Sequence, residues 1–252
     1  GLLNQTSGLQ PTQIMTDTAG YSDLIFGLFG LLGFQFSPRI ANKHGTKLWR
    51  IEKNADYGLL NDVTKSRINT DLIEEHWEDI LRVAGSLKSG KVNATELTRA
   101  LQRSGQPTSL GKAITEYGKV YKTKHQLRYL SDEIYARQIL EQLNKGESRH
   151  ALCRSIFYGR NGKLYQTYID GMEEQLTSLS VVTNAVIYWN TLYLEKVLEQ
   201  MKVEGYDCSE ELIGKLSPLL FEHINFVGKY SFQYNQGLED GSLRPLKTPD
   251  SL

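Results

Sequence analysis

The feature that most limits what this chain can fold into lies near its start. Gln13 to Thr16 is short, partly β-branched and ends at Asp17, as a strand does. Thr18-Ala-Gly20 reads as a turn, and Ser22 is a good helix N-cap. The apolar stretch from Leu24 to Phe36 then carries Gly27, Gly30 and Gly33. It is too short to cross a bilayer and reads as a buried helix through Leu32, stopped by Gly33 in the left-handed conformation. Phe34-Gln-Phe36 alternates as a second strand, closed by Ser37-Pro38. Strand, helix and strand in so few residues predict a crossover unit of a partly parallel sheet. Such a small sheet needs further strands, which the reading places before Gly1; a chain opening on Gly rather than Met is expected to be a fragment.

The remainder is predicted to be helical. Asn42 to Asn61 is loose, polar and basic. Asp71 to Leu87 places Leu72, Ile73, Trp77, Ile80, Leu81 and Ala84 at helical spacing, and Ser89-Gly90 ends that run. Asn93-Ala-Thr-Glu96 resembles a capping box opening a helix through Leu101. Further helices are expected over Leu110 to Leu130, over Asp132 to Leu143 with a stop at Asn144-Lys-Gly146, and from Glu147 to Tyr158. Two more should cover about Leu164 to Met201, and Cys208 to Phe226 should be largely helical with a break at Pro218. The apolar residues of Val181 to Tyr193 are expected to pack in a core, and the tail after Tyr234 to be extended.

Composition bounds the chemistry. With 29 Lys and Arg against 29 Asp and Glu, no global field draws the chain to a polyanion, so any nucleic-acid surface must come from local patches. Three basic clusters supply candidates. The first is Arg39, Lys43, His44, Lys47 and Arg50. The second is Lys112, Lys119, Lys122, Lys124, His125 and Arg128, interleaved with Tyr117, Tyr121 and Tyr129. The third is Lys145, Arg149, His150, Arg154, Arg160 and Lys163. Lys and Arg donate to phosphates, and aromatic rings stack on unpaired bases; three solvated surfaces balanced by the acidic pairs Glu74-Glu75, Asp132-Glu133 and Glu210-Glu211 would look the same. Cys153 and Cys208 have no zinc-like spacing and read as two reduced thiols.

Two carboxylates are placed for metal chemistry. Asp17 lies where a strand meets a turn, and a rigid strand end can fix a ligand; a turn Asp bonding its own backbone looks the same. Glu147 shares one helical face with His150, Ala151 and Arg154, which could set a metal beside a phosphate; so could an ordinary solvated face.

Five segments, in order, resemble successive motifs of the Tn3-family transposases. They are Thr16-Asp-Thr-Ala-Gly-Tyr21, Phe36-Ser-Pro-Arg-Ile40, Leu143-Asn-Lys-Gly-Glu-Ser-Arg-His150, Trp189-Asn-Thr191, and Leu216-Ser-Pro218 with His223-Ile-Asn225. The resemblance covers nearly the whole chain. It implies an α/β fold: a partial RNase H-like core (strand, helix, strand) with a large helical insertion and a helical C-terminal region. Residues 1–41 would be the second half of the RNase H-like sheet, 42–131 the insertion, 132–234 the helical part bearing the Glu, and 235–252 an extended tail. It also implies an Asp, Asp, Glu triad in which Asp17 is the second Asp and Glu147 the Glu, holding two Mg²⁺ ions, with Mn²⁺ a possible substitute. The family's first Asp has no matching motif here; Asp23 lies in the predicted helix start and does not match. Arg39, Lys145, Arg149, His150 and Arg154 are the expected DNA contacts. The implied activity is replicative transposition in the bacterial cytoplasm, at the nucleoid, with transposon ends and target DNA as partners, a homodimer in the full-length protein, and no membrane. The rival reading is a non-catalytic DNA-binding and assembly remnant.

Overall fold

A computed structural model describes residues 8, 10–18, 21–42, 45–103, 105–163, 171–229 and 231. It is mostly helical with a few short strands. Strand β1 (Gln13–Thr16) pairs in parallel with β2 (Gln35–Pro38), in the register Gln13 to Gln35 through Thr16 to Pro38. Helix α1 (Asp23–Leu31) connects them. Its start is capped by the Ser22 hydroxyl, which accepts from the Ile25 N–H at 3.4 Å, and Gly33 has φ 81° after its end. The capping and stop chemistry therefore act where the sequence places them, and β2 begins one residue later than expected.

Two further minimal pairs occur. β3 (Trp49–Arg50) runs parallel to β4 (Ser66–Arg67), with a 3₁₀ turn at Gly58–Asp62 between them. The Arg50 guanidinium holds this loop together, donating to the Thr64 carbonyl at 2.6 Å and to Asn61 Oδ1 at 3.0 Å. The loose region thus has structure that hydrophobic periodicity could not show, because side-chain and backbone polar groups build it. Helices α2 (Thr70–Glu75) and α3 (Trp77–Lys88) replace the single helix expected over Asp71 to Leu87, with the break at His76. α4 (Ala94–Leu101) is capped by Asn93 Oδ1, which accepts from Thr95 N–H. A small antiparallel pair, β5 (Gln102–Arg103) and β6 (Gln106–Pro107), leads into α5 (Ser109–Ser131).

The chain divides into two compact units, 1–143 and 144–252. In the first, α1 and α5 are the central pair. Leu24, Leu28, Ile80, Leu87, Leu101, Ala113 and Ile114 form the main core, and Ile40, Tyr129, Tyr135 and Ile139 a second. The backbones of α1 and α5 touch closely because glycines face each other: a Cβ on Gly27 would strike the Ile114 carbonyl, and one on Gly118 the Asp23 carbonyl. Lys122 reinforces the crossing, its Nζ 2.8 Å from Asp23 Oδ1 with both side chains largely buried.

The expected stop at Asn144-Lys-Gly146 does not occur. α6 runs unbroken from Glu133 to Ile156, so Glu147 sits in a helix interior rather than at its first turn. α7 (Met172–Val203) covers the region expected to hold two helices, of which Leu164 to Asp170 lies outside the described residues, as does the tail after Tyr234. Cys208 to Phe226 is mostly turns around the short α8 (Glu210–Ile213), not a long helix. Side-chain bonds hold this segment: Asn190 Nδ2 donates to the Pro218 and Leu220 carbonyls, each at 2.8 Å, and Asn190 Oδ1 lies 3.0 Å from His223 Nε2. The core expected over Val181 to Tyr193 holds for Thr183 and Asn190 only; Val181, Val182, Tyr188 and Trp189 are exposed. Among the described residues no helix is long and apolar enough to cross a membrane.

Candidate active site

Asp17 directly follows β1. Its backbone is fixed because Thr16 both pairs with Pro38 and accepts, through its carbonyl, the Arg39 N–H at 2.8 Å. The side chain is 63% exposed and, among the described residues, has no hydrogen bond and one charged neighbour, Arg39 Nη1, at 4.0 Å. At that distance and exposure the pair contributes at most about 1 kcal/mol to folding, so its placement suits a task other than stability. The two residues come from the ends of adjacent parallel strands, where α/β sheets place ligands.

A buried polar network braces this strand end from below. The His125 ring on α5 is held between the Pro38 carbonyl, 2.9 Å from Nε2, and the Tyr135 hydroxyl, 3.0 Å from Nδ1. A carbonyl only accepts, so Nε2 carries the proton and Nδ1 accepts from Tyr135. Tyr135 in turn contacts Ser37 Oγ at 2.7 Å and receives Gln35 Nε2 at 3.1 Å. Burial pushes the imidazole down to about 4 from its usual 6.5; the Pro38 bond opposes that shift and nearby Arg128 adds to it. In the sequence His125 falls in a basic cluster that is a candidate for DNA contact; in the fold it is a neutral strut. Others of that cluster are also committed: Lys119 pairs with Glu116, Lys122 with Asp23, and Arg128 lies 4.1 Å from the Tyr135 ring centroid.

The strut has a measurable consequence. Between pH 6.5 and about 4 the unfolded chain binds a proton at this position that the folded chain refuses, so stability is full above 6.5 and is lost as pH falls through that window. The expected loss is about 2 kcal/mol by about pH 4.5. Urea midpoints taken near pH 7 and about pH 4.5 should show it in the wild type and show less of it in His125→Asn. Equal pH sensitivity in the two proteins would remove His125 from the account.

Glu147 belongs to the second unit and projects from the exposed side of α6, with no hydrogen bond or ion pair among the described residues. Lys145, His150 and Arg154 are exposed on the same helix, while Arg149 is half-buried, with Nη1 3.9 Å from Cys153 Sγ. Leu152 is fully buried and fixes which side of this segment faces inward. Arg154 is braced by Gly162, whose φ of 71° turns the backbone against the Arg154 stem. Lys43 and His44 lie outside the described residues, as do the side chains of Arg160 and Asn161.

The structure therefore brings Asp17 and Arg39 together at one strand end, and sets Glu147 among four basic side chains on one helix. Carboxylate oxygens are the donors that Mg²⁺ and Mn²⁺ take, so the donor type fits a hard divalent ion. Among the described residues no group of three or more His, Cys, Asp or Glu is assembled to hold one. Sequence reasoning missed Tyr21, Trp49 and Gln126, which line a cavity next to Thr18 and Arg39. The available signal was a Trp flanked by Lys47 and Arg50 in the first basic cluster.

A family model described as the Tn3 transposase DDE domain matches residues 1–230. The chain is 48% identical over 246 residues to the transposase for transposon gamma-delta of Escherichia coli (strain K12), covering 98% of this chain and 25% of that protein. It is 46% identical over 248 residues to the transposase for transposon Tn4556 of Streptomyces fradiae, covering 98% and 27%. It is 40% identical over 247 residues to the transposase for transposon Tn1546 of Enterococcus faecium, covering 98% and 25%. The chain spans about a quarter of the length of these relatives.

Proposed function

The chain belongs to the Tn3 transposase family, and from that premise we propose that it carries two of the three catalytic carboxylates of a replicative DNA transposase. Asp17 is the second Asp and Glu147 the Glu. β1, α1 and β2 form part of an RNase H-like core, residues 42–131 an insertion, and 132–234 the helical part that bears Glu147. The observation that carries the reading is Asp17 itself: an exposed carboxylate with no hydrogen bond among the described residues, directly after a strand whose last residue, Thr16, is held by pairing with β2.

The proposed partners are transposon ends and target DNA, and the longer protein acts as a homodimer in the bacterial cytoplasm, at the nucleoid. Divalent metal held by Asp17 and Glu147, two Mg²⁺ or Mn²⁺ ions in all, would polarise the phosphoryl oxygens and make an attacking hydroxyl more acidic. The protein's own groups do the rest. Arg39 sits close enough to Asp17 to limit the negative charge at the strand end before substrate arrives. Lys145, Arg149, His150 and Arg154 present donors along one helix for the phosphates flanking the scissile bond. In the first step water would attack the phosphodiester at a transposon end, forming a new P–O bond while the 3′ oxygen leaves as a free hydroxyl; in the second, that 3′ hydroxyl would attack a target phosphate and the target strand's own 3′ oxygen would leave, taking up the proton.

The test is strand cleavage and joining by a full-length transposase carrying this chain, on DNA bearing its transposon ends, with and without Mg²⁺. Magnesium-dependent 3′ nicking and joining is expected. End binding with no cleavage under any divalent metal would favour the remnant. The phosphate contacts have their own readout. Arg149→Gln with Arg154→Gln should flatten the slope of log affinity against log salt by about two, with little change in sequence preference. An unchanged slope would place these side chains away from the phosphates.

A further inference from the structure

Beside the strand end that carries Asp17 lies a cavity of about 340 Å³, lined among others by Thr18, Tyr21, Arg39, Lys47, Trp49 and Gln126. Its volume falls in the range of small-molecule sites. Three features set it apart. The first is its aromatic walls: Tyr21 is braced edge-on by Phe26 at 5.6 Å, and the main-chain N–H of Trp49 donates to Thr123 Oγ1 at 3.2 Å, fixing the backbone from which the indole projects. The second is charge. Arg39 and Lys47 are exposed cations on the lining, and Lys122, already paired with Asp23, adds a third. The third is an unsatisfied amide. Gln126 is 2% exposed, its Nε2 donates to the Tyr21 hydroxyl at 2.7 Å, and its Oε1 is buried without a hydrogen-bond partner among the described residues. A polar atom left in that state is rare in a folded chain and points to a donor supplied from outside.

Two aromatic rings with lysine ammoniums over them (Lys122 Nζ is 4.4 Å from the Tyr21 ring centroid and 5.4 Å from that of Trp49), exposed cations at Arg39 and Lys47, and an acceptor unpaired among the described residues match one chemical object: a nucleotide taken out of its stack, its base against the open side of a ring and its phosphate among the cations. The ring stacks, the phosphate meets Arg39 and Lys47, and an exocyclic amine answers Gln126. Arg39 ties the cavity to the reacting centre, since the same side chain is 4.0 Å from Asp17. We propose that this cavity binds a single unstacked nucleotide of the DNA strand running past Asp17, and so selects DNA that is unpaired next to the cleaved bond. The proposal rests on the DNA-joining function proposed above.

The experiment uses a full-length transposase carrying this chain and two duplexes that differ only in one unpaired 2-aminopurine nucleotide, bulged in one and paired in the other. The bulged duplex should bind about tenfold more tightly, with 2-aminopurine emission quenched on binding. Trp49→Leu should erase both the preference and the quenching while leaving paired-duplex affinity in place. Lys47→Gln, at an exposed position where folding is not at risk, should lower the salt slope for the bulged duplex by about one. Equal wild-type affinity for the two duplexes, with good binding to both, overturns the nucleotide pocket and leaves the DNA-joining function standing. Binding to neither overturns both.

Discussion

Alanine at Asp17 or at Glu147, in a full-length transposase carrying this chain, is expected to lower strand cleavage and joining by at least about a thousandfold while changing affinity for the transposon ends by less than about threefold. The asymmetry follows from where the two side chains sit. Neither carboxylate makes a hydrogen bond among the described residues; the one charged neighbour is Arg39, at 4.0 Å from Asp17. Removing either group therefore costs the fold little, and the loss falls on chemistry. Thermal melts should stay within a few degrees of wild type, separating this outcome from misfolding. Glu147→Gln keeps the helix and the side-chain length and should fail as fully as alanine. A neutral amide oxygen is a weaker ligand and cannot balance a divalent charge. Cleavage that survives either substitution would show that this site is not where metal is held.

The second large effect concerns folding. Gly118→Ala is expected to destabilise the protein by about 3 kcal/mol or more. The new methyl would fall on the Asp23 carbonyl and press on the Gly27 N–H, both backbone atoms of α1 that cannot turn aside as a side-chain tip could. The helices would have to separate, which strips packing from Leu24, Leu28 and Ile114 and lengthens the Lys122 to Asp23 contact. Gly146→Ala is the matched control. A Cβ there meets nothing within 4 Å, so the change should be neutral or stabilising by up to about 1 kcal/mol. Urea unfolding of the two variants beside wild type is the check. Similar midpoints for both would mean that the α1 and α5 backbones do not touch as described.

Sequence reading succeeded where the chemistry is local. Ser22 caps α1 and Gly33 ends the turn after it through interactions spanning a few residues, so the strand, helix and strand were legible before any fold was known. It failed where distant packing overrides local preference. Asn144-Lys-Gly146 looks like a stop, yet α6 passes through it; Leu143 just before it packs on Ile40, Tyr129, Tyr135 and Ile139, and Leu152 after it is fully buried. The helix-propensity cost of Asn and Gly, roughly 1 kcal/mol each at most, is small beside that anchoring. Cys208 to Phe226 failed for a different reason. Its shape is set by Asn190 and His223, remote in sequence and joined through side-chain bonds. That contact links two of the motifs by which the family resemblance was recognised, a link that no reading of either motif alone could give.

The candidate site mixes residues that motifs point to with residues that only the fold brings together. Asp17, Arg39 and the basic face around Glu147 were named from sequence and motif. His125 falls in a candidate basic cluster because composition does not reveal burial; in the structure it is a neutral strut under the strand end. The nucleotide-sized cavity was invisible, since Tyr21, Trp49 and Gln126 meet only after α5 folds back along α1.

Metal-ligand identity at the two carboxylates can be probed by exchanging hard donors for soft ones. Asp17→Cys and Glu147→Cys, in the full-length transposase, should each be inactive with Mg²⁺ and regain cleavage with Mn²⁺ or another thiophilic divalent ion, because a thiolate binds those ions far better than magnesium. Rescue of both variants is the expected result. Cleavage by either variant in magnesium alone, at wild-type rate, would contradict metal ligation by that residue.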